Sequence, residues 1–183
     1  MFDTLIERKC GRPENVFKLL EKELEVTDFA KRRILAERKA RAQSNKEEIT
    51  LDEIYESFDG LSPDQTKRYK QTECECEIAQ ATIKEKGKHL YDYAVTAGKK
   101  VLIISDMYMP REFIEKLLES NGYTEYTKCY VSSEIGLRKK TGRLYQYIQR
   151  EQSINTRGWL HVGDDIIIDG VGATKAGIRS AIM

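Results

Sequence analysis

The order of apolar and polar residues divides the chain into a helical part and an alternating part. From about residue 12 to 97, apolar positions recur at helical spacing. After Lys100, short apolar runs alternate with amphipathic segments. In the first part the pattern predicts four helices: one from Pro13, one over about 28–43, one behind a capping box at Thr50–Glu53, and one from Ser62-Pro63 toward Gly87.

The second part has the texture of an α/β protein. Continuous apolar runs such as VLIIS are typical of buried parallel strands, and KCYVSSE, GWLHVGDD and RSAIM are further strand candidates. Between them lie helix candidates: EFIEKLLES closed by Asn121-Gly122, Thr141 to about Gln152, and VGATKAG ended by Gly177. Strands and helices alternating at this spacing predict a doubly wound parallel sheet. MFDTLI resembles the end of a buried strand and the loop that follows it.

Composition and charge exclude several classes of protein. The chain has 183 residues, with 31 basic and 30 acidic side chains and a net charge of +1. That balance gives no global field that would attract nucleic acid or an anionic membrane. No run approaches the roughly 18 apolar residues of a membrane span, and no signal-peptide pattern opens the chain. We therefore predict a cytoplasmic protein with no nucleic-acid partner and no membrane span.

Two local features have ordinary structural interpretations. Cys74 and Cys76 are two residues apart, which on a helix places them about 200° apart around the axis, so they cannot readily chelate one ion. With Cys10 and Cys129 they are predicted to be reduced structural thiols. The basic run 31–41 could bind phosphate or nucleic acid, but its interleaved apolar residues favour a solvated face of a packed helix.

Polar side chains follow each predicted strand of the second part. They are Ser105-Asp106, Ser132-Ser133-Glu134 and Gly163-Asp164-Asp165, with Asp169 shortly after and Lys139-Lys140 in an intervening loop. Taken singly, each could merely end a strand, cap a helix or be solvated. Parallel strands, however, end at one edge of the sheet, where ligands bind. A hydroxyl, an ammonium and several carboxylates at that edge predict a site for phosphate and Mg²⁺.

Three segments in this order carry a family resemblance: VLIISDMYMP, GLRKKTGRLYQYI and HVGDDIIIDGVGATKAGI. They resemble motifs II, III and IV of the haloacid dehalogenase-like (HAD) hydrolases. The chain is most similar to a bacterial subgroup whose first motif reads F-D-I-F-D-T-L and which is often encoded with or fused to glycosyltransferases. The resemblance implies a Rossmann-like HAD core, made of residues 1–11 and 98–183, with a helical cap over 12–97 inserted after the first strand.

The resemblance also implies a role for each residue of the site. Ser105 would hydrogen-bond the transferring phosphoryl group, and Lys139, with Lys140 as an adjacent rival, would neutralise it. Asp164 would ligate Mg²⁺, and Asp169 or Asp165 would complete the metal shell. Thr4 matches the threonine of motif I. The implied reaction is Mg²⁺-dependent hydrolysis of a phosphate ester through an aspartyl-phosphate. The implied substrate is a small phosphorylated metabolite such as a sugar phosphate, and the implied partners are glycosyltransferases.

Motif I departs from this pattern. The nucleophilic aspartate is expected two residues before Phe2, and the numbering begins at Met1. Phe2 occupies the position of the second aspartate, as in the dehalogenase branch, and Asp3 is not an obvious substitute. We therefore expect a chain truncated within motif I, or a start assigned too far downstream, rather than an evolved loss. We also expect the two strands that would flank the missing first strand to be unpaired. A charged Met1 amino group is expected where the metal belongs, so Mg²⁺ binding should be weakened and activity absent.

Two other functions stay open at this point. IISDMYMP also resembles the phosphoacceptor strand of a response-regulator receiver, which would make Asp106 the phosphorylated residue. Against this, the acidic pair Asp164-Asp165 comes after that strand and no Lys-Pro follows. The remaining alternative is a non-catalytic HAD-like domain that binds a phosphorylated sugar or a partner protein.

Overall fold

The first half of the chain is helical, as predicted. The computed structural model describes residues 1–183, and in this part it contains five helices: α1 (Pro13–Glu23), α2 (Phe29–Gln43), α3 (Leu51–Glu56), α4 (Pro63–Gln80) and α5 (Glu85–Thr96). Thr50 and Ser62 each form a capping box with the residue three positions later, which fixes where α3 and α4 begin. The expected continuation of α4 toward Gly87 is wrong, because the helix ends at Gln80 and a strand follows.

Two short strands connect this helical segment to the rest of the molecule. β1 (Ile6–Arg8) and β2 (Ala81–Ile83) pair antiparallel, with Ile6 opposite Ile83 and Arg8 opposite Ala81. The segment from α1 to α4 therefore begins and ends at one hydrogen-bonded ribbon. The division into a cap at 12–97 and a core at 1–11 and 98–183 stays a prediction.

The second half alternates strands and helices. The strands are β3 (Leu102–Ser105), β4 (Lys128–Val131), β5 (Leu160–Gly163) and β6 (Arg179–Ile182). The helices are α6 (Arg111–Ser120), the single turn α7 (Ser132–Ile135), α8 (Arg143–Gln152) and α9 (Gly172–Lys175), with a 3₁₀ turn at Thr156–Gly158 and a π-helical turn at Ile166–Val171. The predicted α/β architecture with parallel strands is confirmed.

The parallel strands form two separate pairs. β3 pairs with β4, and β5 pairs with β6, both in parallel register. No ladder joins β3 to β5, so the sheet expected from the sequence is split between them. That these two strands flank a further strand, as the resemblance implies, stays a prediction.

Two hydrophobic clusters hold the molecule together. The larger has 28 buried residues and runs from the helical segment, through Phe29 and Tyr55, to Ile103 and Leu117 beside β3. The smaller has 8 and packs Tyr145 and Ile148 of α8 against the other face of the strands. Because the larger cluster includes both halves of the chain, the helical segment packs directly on the α/β part. No helix is both long enough and apolar enough to cross a membrane.

Candidate functional site

The predicted site residues of motifs II and IV lie where β3 and β5 end. Ser105 is the last residue of β3 and is buried, and Asp164 directly follows β5 and is half-buried. Their placement follows from the parallel strand directions, since the carboxyl ends of such strands lie at one edge. Side chains from the loop before α8 and from the π-helical turn connect these two strand ends.

Asp169 is the centre of a buried charged cluster. Its Oδ1 lies 2.5 Å from the Lys139 Nζ and 2.9 Å from the His161 Nε2. Its Oδ2 accepts the backbone N–H groups of Asp164 and Asp165, each at 3.2 Å. Burial alone would raise the pKa of Asp169. Hydrogen bonding to His161 and the charge of Lys139 nevertheless hold this pKa well below its ordinary value. The carboxylate is therefore ionised and fully occupied by protein groups.

Gly163 makes room for this cluster. A β-carbon at position 163 would lie 2.2 Å from the Asp169 Cγ, which is closer than such atoms approach. A second glycine, Gly172 at the start of α9, lies so close to the loop before α8 that a β-carbon would meet the Lys139 carbonyl oxygen at 2.3 Å. The two glycines thus allow Asp169 and the backbone of Lys139 to approach β5 and α9.

The structure separates the two candidate lysines. Lys139 is buried and places its ammonium in the Asp169 cluster. Lys140 is exposed, and its carbonyl oxygen accepts a hydrogen bond from Lys175 at 3.2 Å. Of the two, Lys139 is the residue at the site.

Asp106 supports the Lys139 loop. Its two carboxylate oxygens receive the Lys139 backbone N–H at 3.0 and 3.1 Å. Burial raises the pKa of Asp106, and the charge of Lys139 opposes the rise. Since the side chain is only 7% exposed and its oxygens are engaged, the geometry does not favour Asp106 as a receiver-type phosphoacceptor.

The helix-capping role considered for Asp169 belongs instead to Asp165. The Asp165 Oδ1 accepts the N–H groups of Ile167 and Ile168, each at 2.7 Å, and so caps the π-helical turn. This carboxylate is exposed and used for local structure. The geometry therefore does not support Asp165 as a member of a metal shell.

The motif I residues contact the site through Thr4. Its hydroxyl donates to the Asp164 Oδ1 at 2.7 Å and so orients that carboxylate. The Arg8 guanidinium lies 3.9 Å from the centroid of the Phe2 ring, in a cation–π contact. A phenylalanine at this position provides no acidic group. Asp3 has a left-handed backbone (φ 58°), and its carbonyl oxygen accepts from Lys84.

The Met1 amino group lies among the charges of the site. Burial and the positive charge of Lys139 lower its pKa from 8.0 to about 5, against the opposing effects of Asp169, Asp164 and Asp106. The expectation of a charged amine at this position is therefore wrong at neutral pH, where the group is mainly unprotonated. Its location near the acidic side chains agrees with the sequence-based placement.

The residues present do not by themselves fit a Mg²⁺ ion. Asp169 and Asp106 spend their oxygens on protein donors, and Asp165 caps a helix. This leaves Asp164, and no group of three or more His, Cys, Asp or Glu residues is arranged to hold a metal. Magnesium prefers six oxygen ligands and is usually held by at least one or two carboxylates plus water or phosphate. A second carboxylate would have to complete such a site.

Two further residues of the cluster, His161 and Tyr145, were not predicted from the sequence. His161 lies on β5 with its ring 4.9 Å from that of Tyr145, and burial lowers the pKa of its imidazole. The Tyr145 side chain is fully buried, and its hydroxyl has no hydrogen-bond partner. The only available signal was a polar residue within each apolar run, and this does not distinguish a cluster member from an ordinary core residue.

Comparison with known proteins gives a consistent fold. No family model and no curated protein matches the sequence. Among solved structures, YfnB from Bacillus subtilis, assigned as a HAD-hydrolase and solved with bound magnesium, aligns over 100% of this chain and 86% of its own, with 14% identity and a TM-score of 0.68. A dehalogenase solved with an intermediate complex aligns over 99% of this chain and 82% of its own (15% identity, TM-score 0.63).

A third solved structure shares the same architecture. CbbY from Rhodobacter sphaeroides, in complex with phosphate, aligns over 91% of this chain and 77% of its own, with 13% identity and a TM-score of 0.59. At these identities the likeness concerns the backbone. The chain therefore has the α/β fold of the HAD-like hydrolases.

Proposed function

We propose that this chain carries the phosphoryl-transfer site of a HAD-like phosphatase, and that an aspartate immediately before Met1 completes the site. The observations that support this proposal are the positions of Ser105 and Asp164 at the ends of β3 and β5, and the location of Lys139 and Met1 among the neighbouring acidic side chains. A strand leading into Met1 from between β3 and β5 would bring its last side chain to this cluster. It would also pair with the two edges that no ladder joins.

The chemistry follows from the kinds of group present. In the completed site the added carboxylate would attack the phosphorus of a phosphate monoester, the bond to the leaving oxygen would break, and water would later cleave the aspartyl-phosphate. Ser105 would hydrogen-bond a phosphoryl oxygen and Lys139 would balance the negative charge. Because Phe2 offers no proton donor, substrates with a good leaving group should react fastest. We further propose that Asp164 and the added aspartate together hold Mg²⁺.

The test compares three proteins: this chain, the chain preceded by an apolar strand segment ending in Asp, and the same extension ending in Asn. Hydrolysis of p-nitrophenyl phosphate with Mg²⁺ should be at the buffer rate for the first and third and clearly above it for the second. Asp164→Asn in the active protein should abolish the metal-dependent rate. Equal rates with and without the added Asp, or a folded Asp-extended protein that does not hydrolyse the ester, would overturn the proposal.

One observation favours a second function. Ser105 at the end of β3 and the buried Lys139 present a hydroxyl and an ammonium, and these two groups suit a phosphate even without a metal. A non-catalytic domain that binds a phosphorylated sugar would use these two residues alone. Calorimetry with glucose phosphate distinguishes the two functions: binding by the chain that Lys139→Met abolishes, with no turnover in the Asp-extended protein, supports the binding domain. Association with glycosyltransferases is a separate proposal that rests on the sequence resemblance.

A further inference from the structure

The loop before α3 reaches from the helical segment onto the loop that carries Lys139. Residues 44–50 link α2 to α3, and residues 136–142 link α7 to α8. The Glu47 backbone N–H donates to the Gly136 carbonyl oxygen at 3.1 Å. The two loops are therefore joined by a backbone hydrogen bond across 89 positions of sequence, and side chains add further contacts.

The Glu47 carboxylate binds donors on both sides of Lys139. Its Oε2 accepts the Arg138 backbone N–H at 2.9 Å and the Thr141 hydroxyl at 2.7 Å. Its Oε1 accepts from the Arg143 Nη1 at 2.8 Å. Burial raises the pKa of Glu47, but the hydrogen bonds from Arg138, Thr141 and Arg143 outweigh this effect. The pKa of Glu47 is therefore below its ordinary value. One side chain thus fixes the positions immediately before and after the lysine pair.

Glu48 acts on the same loop from a buried position. Its side chain is 2% exposed, accepts from the Arg41 Nη1 at 2.5 Å and receives the Ser132 hydroxyl at 3.2 Å. The Arg138 Nε lies 3.4 Å from the Glu48 Oε2 and 3.6 Å from the Asp106 Oδ2. That nitrogen is buried without a hydrogen bond, so it interacts with both carboxylates by charge. The guanidinium therefore lies between an acid of the helical segment and the acid that holds the Lys139 N–H.

We propose that Glu47 and Glu48 are positioning residues that hold the loop 136–142 so that the Lys139 ammonium stays at the site. The proposal rests on the proposed function for what Lys139 does there. It explains why two consecutive acids of the helical segment spend their side chains on one loop of the α/β part. It also makes the orientation of the helical segment a determinant of the site, because any movement that withdraws residues 44–50 releases both sides of Lys139.

The first experiment needs no activity. Hydrogen exchange of residues 136–142 is measured in the chain, in Glu47→Gln and Glu48→Gln, and in the control Glu37→Gln. Glu37 also binds Arg41, at 2.9 and 3.0 Å, and makes no contact with the loop. We expect exchange at Arg138, whose N–H donates to Glu47, to rise by about tenfold in Glu47→Gln, which corresponds to one lost charge-assisted hydrogen bond. In Glu48→Gln we expect exchange at Arg138 and Lys139 to rise because the charge contact with the Arg138 guanidinium is lost. Unchanged exchange in both, or the same rise in Glu37→Gln, would overturn the inference.

The second experiment uses the active Asp-extended protein. A positioning role predicts that Glu47→Gln and Glu48→Gln lower kcat about tenfold with little change in KM, because Lys139 acts mainly on the transferring group. Glu37→Gln should keep the parental kcat, and Glu48→Asp, which restores the charge, should recover part of the loss. A loss confined to KM, or no recovery in Glu48→Asp, would refute the role. If the parental extended protein is itself inactive, the proposed function fails, and the exchange experiment alone decides the inference.

Discussion

A buried ion pair inside the helical segment offers the sharpest test of how the fold is stabilised. Arg33 of α2 and Glu73 of α4 have no exposed side-chain surface, and the Arg33 Nε and Nη2 each donate to Glu73 at 2.8 Å. The Tyr55 hydroxyl donates to the same carboxylate at 2.8 Å. The guanidinium also lies 4.8–5.8 Å from three aromatic ring centroids, those of Phe17, Tyr55 and Tyr108. The Arg33 Nε and Nη2 and the Tyr55 hydroxyl therefore all depend on one carboxylate.

The perturbation is Glu73→Gln, which keeps the shape and removes the charge. Arg33 would keep only Glu37 as a charged partner, through its Nη1 at 3.2 Å. Leaving a buried charge without its partner costs about 3–5 kcal/mol. In a domain of this size each kcal/mol lowers the melting temperature by about 2–4 °C, so we expect a decrease of about 6–20 °C. Thermal and urea unfolding of the chain, followed by circular dichroism, measure both quantities.

Two controls separate burial from the loss of an ion pair as such. Asp59→Asn breaks the exposed pair of Lys39 and Asp59, which is 2.8 Å long, and should leave the midpoint nearly unchanged. The double variant Arg33→Met, Glu73→Met removes both charges and should lose less stability than Glu73→Gln alone. The reasoning is refuted if Glu73→Gln is no more destabilising than Asp59→Asn, or if the double variant is the least stable of the three.

Two further predictions concern the site. Gly163→Ala would place a β-carbon 2.2 Å from the Asp169 Cγ, so we expect Asp169 to move and the chain to lose several degrees in melting temperature; an unchanged melting curve would contradict the geometry. Because the pKa of Asp169 is lower in the folded chain than its ordinary value of 3.8, the ionised side chain stabilises the fold above pH 3.8, and this stabilisation is lost as the pH falls toward the lower folded pKa. In urea unfolding from pH 6 to pH 2, the free energy of unfolding should therefore decrease less in Asp169→Asn than in the parent chain. The same pH dependence of this free energy in both proteins would disprove the prediction.

Local patterns in the sequence were enough to predict most elements. The capping boxes that begin at Thr50 and Ser62 each span four residues and determine where a helix starts. The continuous apolar runs of β3 and β4 are typical of buried strands. The buried Arg33 could not be predicted, because its partner Glu73 is 40 positions away and the other basic residues of the run are exposed or half-buried. β1 and β2 were missed because three residues are too few to show a period.

The roles of the site residues stay predictions, whereas their placement at strand ends follows from the strand pattern. The motif order identified Ser105, Lys139 and Asp164 as residues at one sheet edge, since parallel strands must end together. It left open whether Asp169 or Asp165 completes the metal shell and considered only Asp169 as a helix cap, although both lie near the start of the same turn. Only the backbone determines which carboxylate meets the free N–H groups of Ile167 and Ile168, and that is Asp165.

The split sheet and the intact cluster have a joint consequence for the Asp-extension experiment. At the strand ends, Asp106 holds the Lys139 backbone and the Lys139 ammonium reaches Asp169 beside β5, so side chains connect β3 to β5 although no ladder does. An added strand would then enter an edge where the polar residues already converge. It should raise stability through new ladder hydrogen bonds whether it ends in Asp or Asn, whereas activity should require Asp. An extension that stabilises the chain but restores no hydrolysis would therefore mean that the fold was completed and the proposed chemistry is wrong.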